Sequence, residues 1–496
     1  MSHKIHISKN GKTLVAIDNF DLQPGKITFL FGESGIGKSL LSKAIYGLID
    51  PHLLDVTIDS MPYRDYLADE NVIAAKRNGF FVFQEPSSHL NPLRTLETQI
   101  NEGSLSGKSG EAEALGKLWE GKADAAVQQI LRVFPKPYRP SGGEKQRILL
   151  AMAFKKIARF QQDGAPDNHL FVFDEPTGSL DNRYRNIFLK LLLDKFTETP
   201  FTGIFITHDY SIISEIAGYP QQLQSKVVYK ELTESKNGLQ LRDFAAKEYL
   251  NWIDEEKHAD FAGSSSAKTV FSIDSGYRVF GKTMQFRKAR SQQKADELVI
   301  RSGEMAYVKA ASGIGKTTLA KIIMGLQTAE NLAFSLSGED FSEQTQPGKW
   351  RKKVWGKSAG MVFQHADESL NLQANVREIF AGLPLEKPLD DHSLSEHLRS
   401  IFDITIDDAF LGKRTGLLSG GQKQRLNLLR TLLLNTDLLI LDEPFNGLDL
   451  ESIQKIVALI KYKLADGAAI LMISHNEEIV ESIVPPERIY FLTAES

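Results

Sequence analysis

FGESGIGKSLL, residues 31–41, fits the pattern G-x-x-x-x-G-K-[ST] through Gly32, Gly37, Lys38 and Ser39, with Ser34 and Gly35 inside the loop. An apolar run from Ile27 to Phe31 leads in, and the helix-like segment SLLSKAIYGLI leads out. That context gives the pattern a mechanism. The glycines let the backbone bend until successive N–H groups converge on phosphate oxygens. The lysine then reaches the outer phosphates, the hydroxyl serves Mg²⁺, and the helix N-terminus adds positive potential.

Outward from the loop, short continuous apolar runs end in polar residues. GFFVFQEP spans Gly79 to Pro86, HLFVFDEP spans His169 to Pro176, and TGIFITHD spans Thr202 to Asp209. Such runs predict buried parallel strands that present ligand groups at their C-terminal ends. Residues Asn101 to Ala126 are rich in Gly, Ala, Ser and charge, and suggest a helical insertion on the sheet domain. Beyond Phe244 the pattern breaks: AAKEYLNWIDEEKHAD has the spacing of a short amphipathic helix, and AGSSSAK that of a flexible connector. Trp252 and Ile253 are expected to dock on the chain's own domain rather than on a partner.

The second half repeats the first. Lys316 follows Lys38 by 278 residues, Gln364 follows Gln84 by 280, and Ser419 follows Ser141 by 278. Asp442 follows Asp174 by 268 and His475 follows His208 by 267, the drop falling where the first half carries RFQQDGAPDN. Each half holds five features in one order: a phosphate loop, a strand ending in Gln84 or Gln364, SGGEKQR at Ser141 or LSGGQKQR at Leu418, a strand ending in Asp-Glu-Pro at Asp174 or Asp442, and a strand ending in His208 or His475. Near-constant spacing through five motifs marks a duplicated domain. The expected organisation is a first domain over 1–245, a linker over 246–268 and a second domain over 269–496.

Composition bounds the rest. With 496 residues, 42% apolar and 25% charged, the chain has ample core and room for two domains or more. A net charge of −4 argues against nucleic acid as the direct partner. The absence of cysteine excludes disulfides, thiolate zinc sites, iron–sulfur clusters and cysteine nucleophiles, and suits a reducing compartment. MSHKIHISKN lacks the apolar core of a signal peptide, and no run of about 18 apolar residues occurs, so no membrane span is expected.

The five motifs, in this order and wording, resemble the nucleotide-binding domains of ATP-binding-cassette proteins over nearly the whole chain, with Ser-Gly-Gly the most specific element. The resemblance implies two P-loop α/β domains in tandem. Each would have a mainly parallel sheet core, a small antiparallel portion and a helical subdomain bearing the signature. It implies ATP hydrolysis with Mg²⁺. Phosphate contacts would come from Gly32, Ser34, Gly35, Gly37, Lys38 and Ser39 in the first half, and from Ser312, Gly313, Gly315, Lys316 and Thr317 in the second. Ser141, Gly142 and Gly143, with Ser419, Gly420, Gly421 and Gln422, would be the signatures, each capping ATP held by the opposite domain, so that both sites form within one chain. Ser39, Gln84 and Asp174, and Thr317, Gln364 and Asp442, would serve the metal. Glu175 and Glu443 would be general bases, His208 and His475 would contact the γ-phosphate, and Gln84 and Gln364 would contact the metal or the attacking water. Asp181 and Asp449 match a loop that the family places at the seam between domains. The adenine-stacking aromatic is missing from HISKNGK, where Lys9 stands near its place; in the second half Tyr277 or Phe280 could serve, with KARSQQKA inserted after them. Three changes are expected to favour the Lys38 site, although both sites keep Lys, Asp, Glu, Gln and His: Ala310 replaces the first glycine of the second loop, and that loop's partner signature has Pro140 before Ser141 and Glu144 after it.

Within the family, QEPSSHLNPLRTLETQI from Gln84, ITHDYSIISEIA from Ile206 and FQHADESLNLQANVREIF in the second half resemble the paired ATPases of dipeptide, oligopeptide, nickel and glutathione importers. The implied protein is a fused pair of such ATPases, peripheral on the cytoplasmic face of the cell membrane. It would bind two integral-membrane permease subunits and, through them, a substrate-binding protein. Leu90, Asn91, Leu370 and Asn371 lie where the family docks a permease helix. The alternatives are a ribosome- or DNA-associated tandem ATPase, whose usual charged linker or metal-binding cysteines are missing here, and the ATPase of another membrane complex.

Overall fold

A computed structural model describes residues 2–102, 115–119, 141–178, 180, 182–235, 238–258, 268–311, 313–385 and 387–495. Most of the insertion expected over Asn101 to Ala126, the connector through residue 267, and Pro140, Asp181 and Ser312 lie outside the described residues. The chain divides into two compact units, Met1–Gly32 with Ile36–Ala245, and Ala246–Ser496 with Glu33–Gly35.

In the first unit six strands form one sheet, in the order Gly238–Asp243, Val227–Ser235, Ile27–Gly32, Gly203–Ile206, Phe171–Asp174, Phe80–Val82. All neighbours are parallel except the edge pair Gly238–Asp243 and Val227–Ser235. The phosphate-loop strand and its two neighbours toward Phe80 are buried at every position, which is why their sequences run apolar without alternation. A four-stranded antiparallel sheet, begun by the hairpin Ser2–Lys9 and Lys12–Asp21, covers this core and shares it through Ile5, Ile7, Val15 and Ile17.

The second unit repeats the plan. Met305–Lys309 lies between Ile489–Glu495 and Ala469–Ile473, followed by Leu438–Asp442 and Ala359–Val362, all parallel. Lys282–Lys288 joins antiparallel to Ile489–Glu495. The inserted KARSQQKA extends this strand into a hairpin, with Lys294–Ala295 folded back on it. A helical part with its own core, including Val376, Leu394, Leu398, Phe402 and Leu426, carries the signature helix Gly420–Leu432. The extra RFQQDGAPDN of the first half falls at the end of the matching helix, Gly142–Gln162, which runs 21 residues against 13.

The helix Ala246–His258 belongs to the second unit. Tyr249 and Ile253, one turn apart, are 0% and 3% exposed, and the Tyr249 hydroxyl donates to Glu478 Oε2 at 2.6 Å. Glu256 pairs with Lys461. Ile253 thus docks on the chain itself, whereas Trp252 stays half-buried beside Tyr249.

Candidate functional site

Both phosphate loops end on a glycine in the left-handed region, Gly37 at φ 114° and Gly315 at φ 116°, from which the helices Lys38–Tyr46 and Lys316–Ile323 start. Neither helix has a side-chain cap, and a helix N-terminus of this kind suits an anion. Gly35 and Gly313 bend the loops at φ 81° and 78°. Gly32 sits at φ 134°, where a Cβ would lie 2.3 Å from the Leu232 carbonyl oxygen. Its counterpart Ala310 adopts no positive φ, so the strain expected of alanine there does not arise. The lysines behave alike: Lys38 Nζ donates to the Gly32 carbonyl at 2.6 Å, and Lys316 Nζ to the Ala310 carbonyl at 2.8 Å.

The candidate metal groups converge in each unit, with different partners. Ser39 Oγ donates to Asp174 Oδ1 at 2.7 Å. Burial raises Asp174 above the usual carboxylate range, and the Ser39 hydrogen bond opposes this. In the second unit Thr317 Oγ1 turns to Gln364 Oε1 at 3.4 Å. Both Asp442 oxygens are buried without a hydrogen-bond partner among the described residues. Burial pushes Asp442 up to about 6, against the pull of the nearby Thr317 hydroxyl and Lys316. An orphaned carboxylate beside a hydroxyl and an amide oxygen is a hard-oxygen donor set of the kind Mg²⁺ takes.

Glu175 and Glu443 follow the aspartates and share a feature absent from any motif: both lie in the left-handed region, at φ 45° and 52°. Their N–H groups still donate to the neighbouring strand, at Ile206 and Ile473. The chain therefore leaves the sheet in a tight bend and swings the carboxylate off the strand end. Glu175 Oε2 accepts from Gln84 Nε2 at 3.1 Å and lies 3.4 Å from His208 Nδ1. Burial alone would raise Glu175, but the histidine overcomes it and holds the carboxyl below its ordinary value, while His208 is raised in turn. Glu443 Oε2 accepts instead from the His475 backbone N–H at 2.9 Å and from Ser474 Oγ at 3.3 Å, and burial pushes it up to about 7.

Both signatures are capping boxes. Ser141 Oγ accepts from the Glu144 N–H while Glu144 accepts from the Ser141 N–H, and Ser419 and Gln422 do the same. The glycine pairs Gly142–Gly143 and Gly420–Gly421 form the first turns. Glu144 is therefore engaged by its own helix. The capping-box pattern S-x-x-[EQ] stands in the sequence as SGGE and SGGQ. Asp449 likewise caps the helix Leu450–Ala465 through the Ser452 N–H. Of the aromatic candidates, Tyr277 is core at 1% exposure, whereas Phe280 is 76% exposed. Leu90 and Leu370 are buried in their own cassettes; Asn91 and Asn371 are exposed.

Two phosphate loops, each with a strand-end Asp-Glu pair, a glutamine, a histidine and a capped Ser-Gly-Gly helix, define a tandem nucleotide-binding cassette protein. The model of the ABC transporter family matches residues 16–178 and 294–446, and the chain belongs to that family. It is an ABC-type ATPase with two cassettes. It is 28% identical to the peptidoglycan transport ATP-binding protein YejF of Agrobacterium fabrum, over 96% of this chain and 87% of that one. To the glutathione import ATP-binding protein GsiA of Escherichia coli O157:H7 it is 26% identical, over 97% and 82%. The solved structure of RNase-L Inhibitor shares the fold at 16% identity and a TM-score of 0.62, covering 98% of this chain and 89% of that one. Among the described residues no helix is long and apolar enough to cross a membrane.

Proposed function

We propose that the chain is the ATP-hydrolysing subunit of a peptide- or nickel-type importer, peripheral on the cytoplasmic face of the membrane. There it would bind two permease subunits that a substrate-binding protein serves. One observation carries this reading: relatives named for peptidoglycan transport and glutathione import align along nearly the whole chain, through both cassettes. With Leu90 and Leu370 buried, the exposed groups of this segment that could meet a permease helix include Asn91, Asn371 and the 77% exposed Leu93.

In each cassette the loop N–H groups and Lys38 or Lys316 hold the ATP phosphates. Ser39, Asp174 and Gln84, and Thr317, Asp442 and Gln364, would hold Mg²⁺, which neutralises charge on the β- and γ-phosphates when bound. Glu175 and Glu443 orient water and take its proton, and His208 and His475 face the γ-phosphate. ATP-driven movement of the cassettes then drives the permeases. Affinity capture of the full chain from detergent-solubilised membranes should recover two integral-membrane proteins. Recovery of ribosomes or DNA in their place would overturn the importer reading and favour a soluble tandem ATPase.

A further inference from the structure

Glu443 adopts φ 52° and is followed by Pro444. A left-handed angle costs a residue with a side chain about 1–2 kcal/mol, and a following proline ring crowds the backbone further. Such a conformation persists only where its surroundings hold it. The Glu443 N–H donates to the Ile473 carbonyl at 2.8 Å, and the Glu443 carbonyl accepts from the Asn446 N–H at 3.3 Å. Both bonds have counterparts at Glu175, through Ile206 and Gly178. The remaining bond does not: Gln424 Nε2 donates to the Glu443 carbonyl at 3.3 Å. Gln424 is 4% exposed and rises from the signature helix, five residues after Ser419. Its counterpart Gln146 is 1% exposed, and among the described residues neither of its amide atoms has a hydrogen-bond partner.

We infer that Gln424 is a positioning residue for hydrolysis: its buried amide ties the signature helix to the Glu443–Pro444 peptide and so fixes the direction in which the Glu443 carboxylate leaves the strand. The bond reaches the main chain of the residue proposed as the base, so its loss alters where the carboxylate points without removing any group that touches ATP. A buried glutamine that merely filled space would need no donor aimed at this one carbonyl, and Gln146 illustrates that case. The inference rests on the reading of Glu443 as a general base.

The test is a double-mutant cycle on the full-length chain. Gln424→Met keeps the side chain's length without a donor, and Gln424→Glu keeps its size and polarity but loses the amide N–H. On a Glu175→Gln background, where turnover passes through Glu443, each should lower kcat about threefold to tenfold with KM for ATP held within about twofold. On a Glu443→Gln background the same changes should cost less than about twofold, because the group they position is already gone. Thermal unfolding of every variant separates this from a folding defect. Equal losses on the two backgrounds, or a raised KM at unchanged kcat, would overturn the positioning role. An unchanged turnover in Glu443→Gln alone would remove the general base itself, and the inference with it.

Discussion

Glu175 and Glu443 occupy the same place at the end of the same strand, with the same left-handed backbone, and their carboxylates are held by different things. In the first cassette the partners are side chains, Gln84 and His208. In the second they are the His475 backbone N–H and the Ser474 hydroxyl, with the His475 ring 3.5 Å from the other oxygen. The glutamines differ accordingly: Gln84 meets the base, whereas Gln364 meets the Thr317 hydroxyl, and the Asp442 oxygens have no hydrogen-bond partner within bonding distance among the described residues. The five motif residues therefore do not define one geometry. They allow different hydrogen bonds in the two cassettes, and Ser474, the residue before His475, supplies one of those made to Glu443. Its counterpart Thr207 accepts from the Asp209 N–H as Ser474 does from Asn476, and has no bond to Glu175.

The sharpest way to break this contrast is to neutralise each base in turn. Burial raises the Glu443 carboxyl to about 7, so at neutral pH part of it is protonated and cannot take a proton, whereas burial at Glu175 is overcome by His208 and the carboxylate stays ionised. Removing a general base costs about 10²–10⁴-fold at its own site. Glu175→Gln should therefore remove more than half of total ATP turnover, and Glu443→Gln the smaller share, in steady-state assays on membranes carrying the partner subunits. Equal losses would show that the two hydrogen-bond arrangements are interchangeable during turnover. The reasons for asymmetry drawn from sequence fare less well: Ala310 takes an unstrained angle, and Glu144 is satisfied within its capping box.

Those two residues mark where sequence reading stops. Sheet strands and phosphate loops were legible because each is a local pattern: wholly buried strands are apolar without alternation, and a glycine that must take a left-handed angle is written as glycine. The repeat doubled every such signal. The contacts that differ between the cassettes were not legible, because Gln84 or Gln364 can reach either a carboxylate or a hydroxyl, and their choice depends on distances fixed by folding. The left-handed glutamates were hidden for a related reason. Asp-Glu-Pro identifies the residues, but nothing in those letters says that the strand must bend before the proline. The linker helix was half legible: its amphipathic spacing was plain, and the depth of Tyr249 was not.

That helix supplies a second contrast, since it packs on the second unit. Tyr249 is fully buried and bonds to Glu478 on the helix Glu477–Ile483, which begins two residues after His475. The same helix anchors Lys309, the residue before the second phosphate loop, through Glu477 and Glu481. Tyr249→Ala should cost about 3–5 kcal/mol, and Tyr249→Phe, which loses only the hydroxyl bond, about 1 kcal/mol. Hydrogen exchange should show lost protection in Glu477–Ile483, with the matching helix Ser211–Ala217 of the first unit unchanged. Equal loosening of both helices would mean that the linker does not act on one cassette alone.

The smallest difference lies at two hairpin tips. Asn10 and Gly11 turn the first hairpin at φ 51° and 76°, and Phe280 and Gly281 turn the matching one at the same angles. Asn-Gly is the pair such a turn favours, because both residues need a positive φ; phenylalanine there is unfavourable. Phe280 is also 76% exposed, so burial does not offset its cost. A ring kept in a strained, solvated position upstream of a phosphate loop is accounted for if it covers a base, and one base on one aromatic is worth about 1–3 kcal/mol. Phe280→Asn gives the second cassette the tip of the first. It should leave the hairpin intact or slightly more stable, and weaken ATP binding at the Lys316 site about fivefold, taking the low end of that range. Measured on a Lys38→Ala background, so that the Lys316 site dominates, an unchanged affinity would show that the two cassettes grip the nucleotide alike and that Phe280 serves something other than the base.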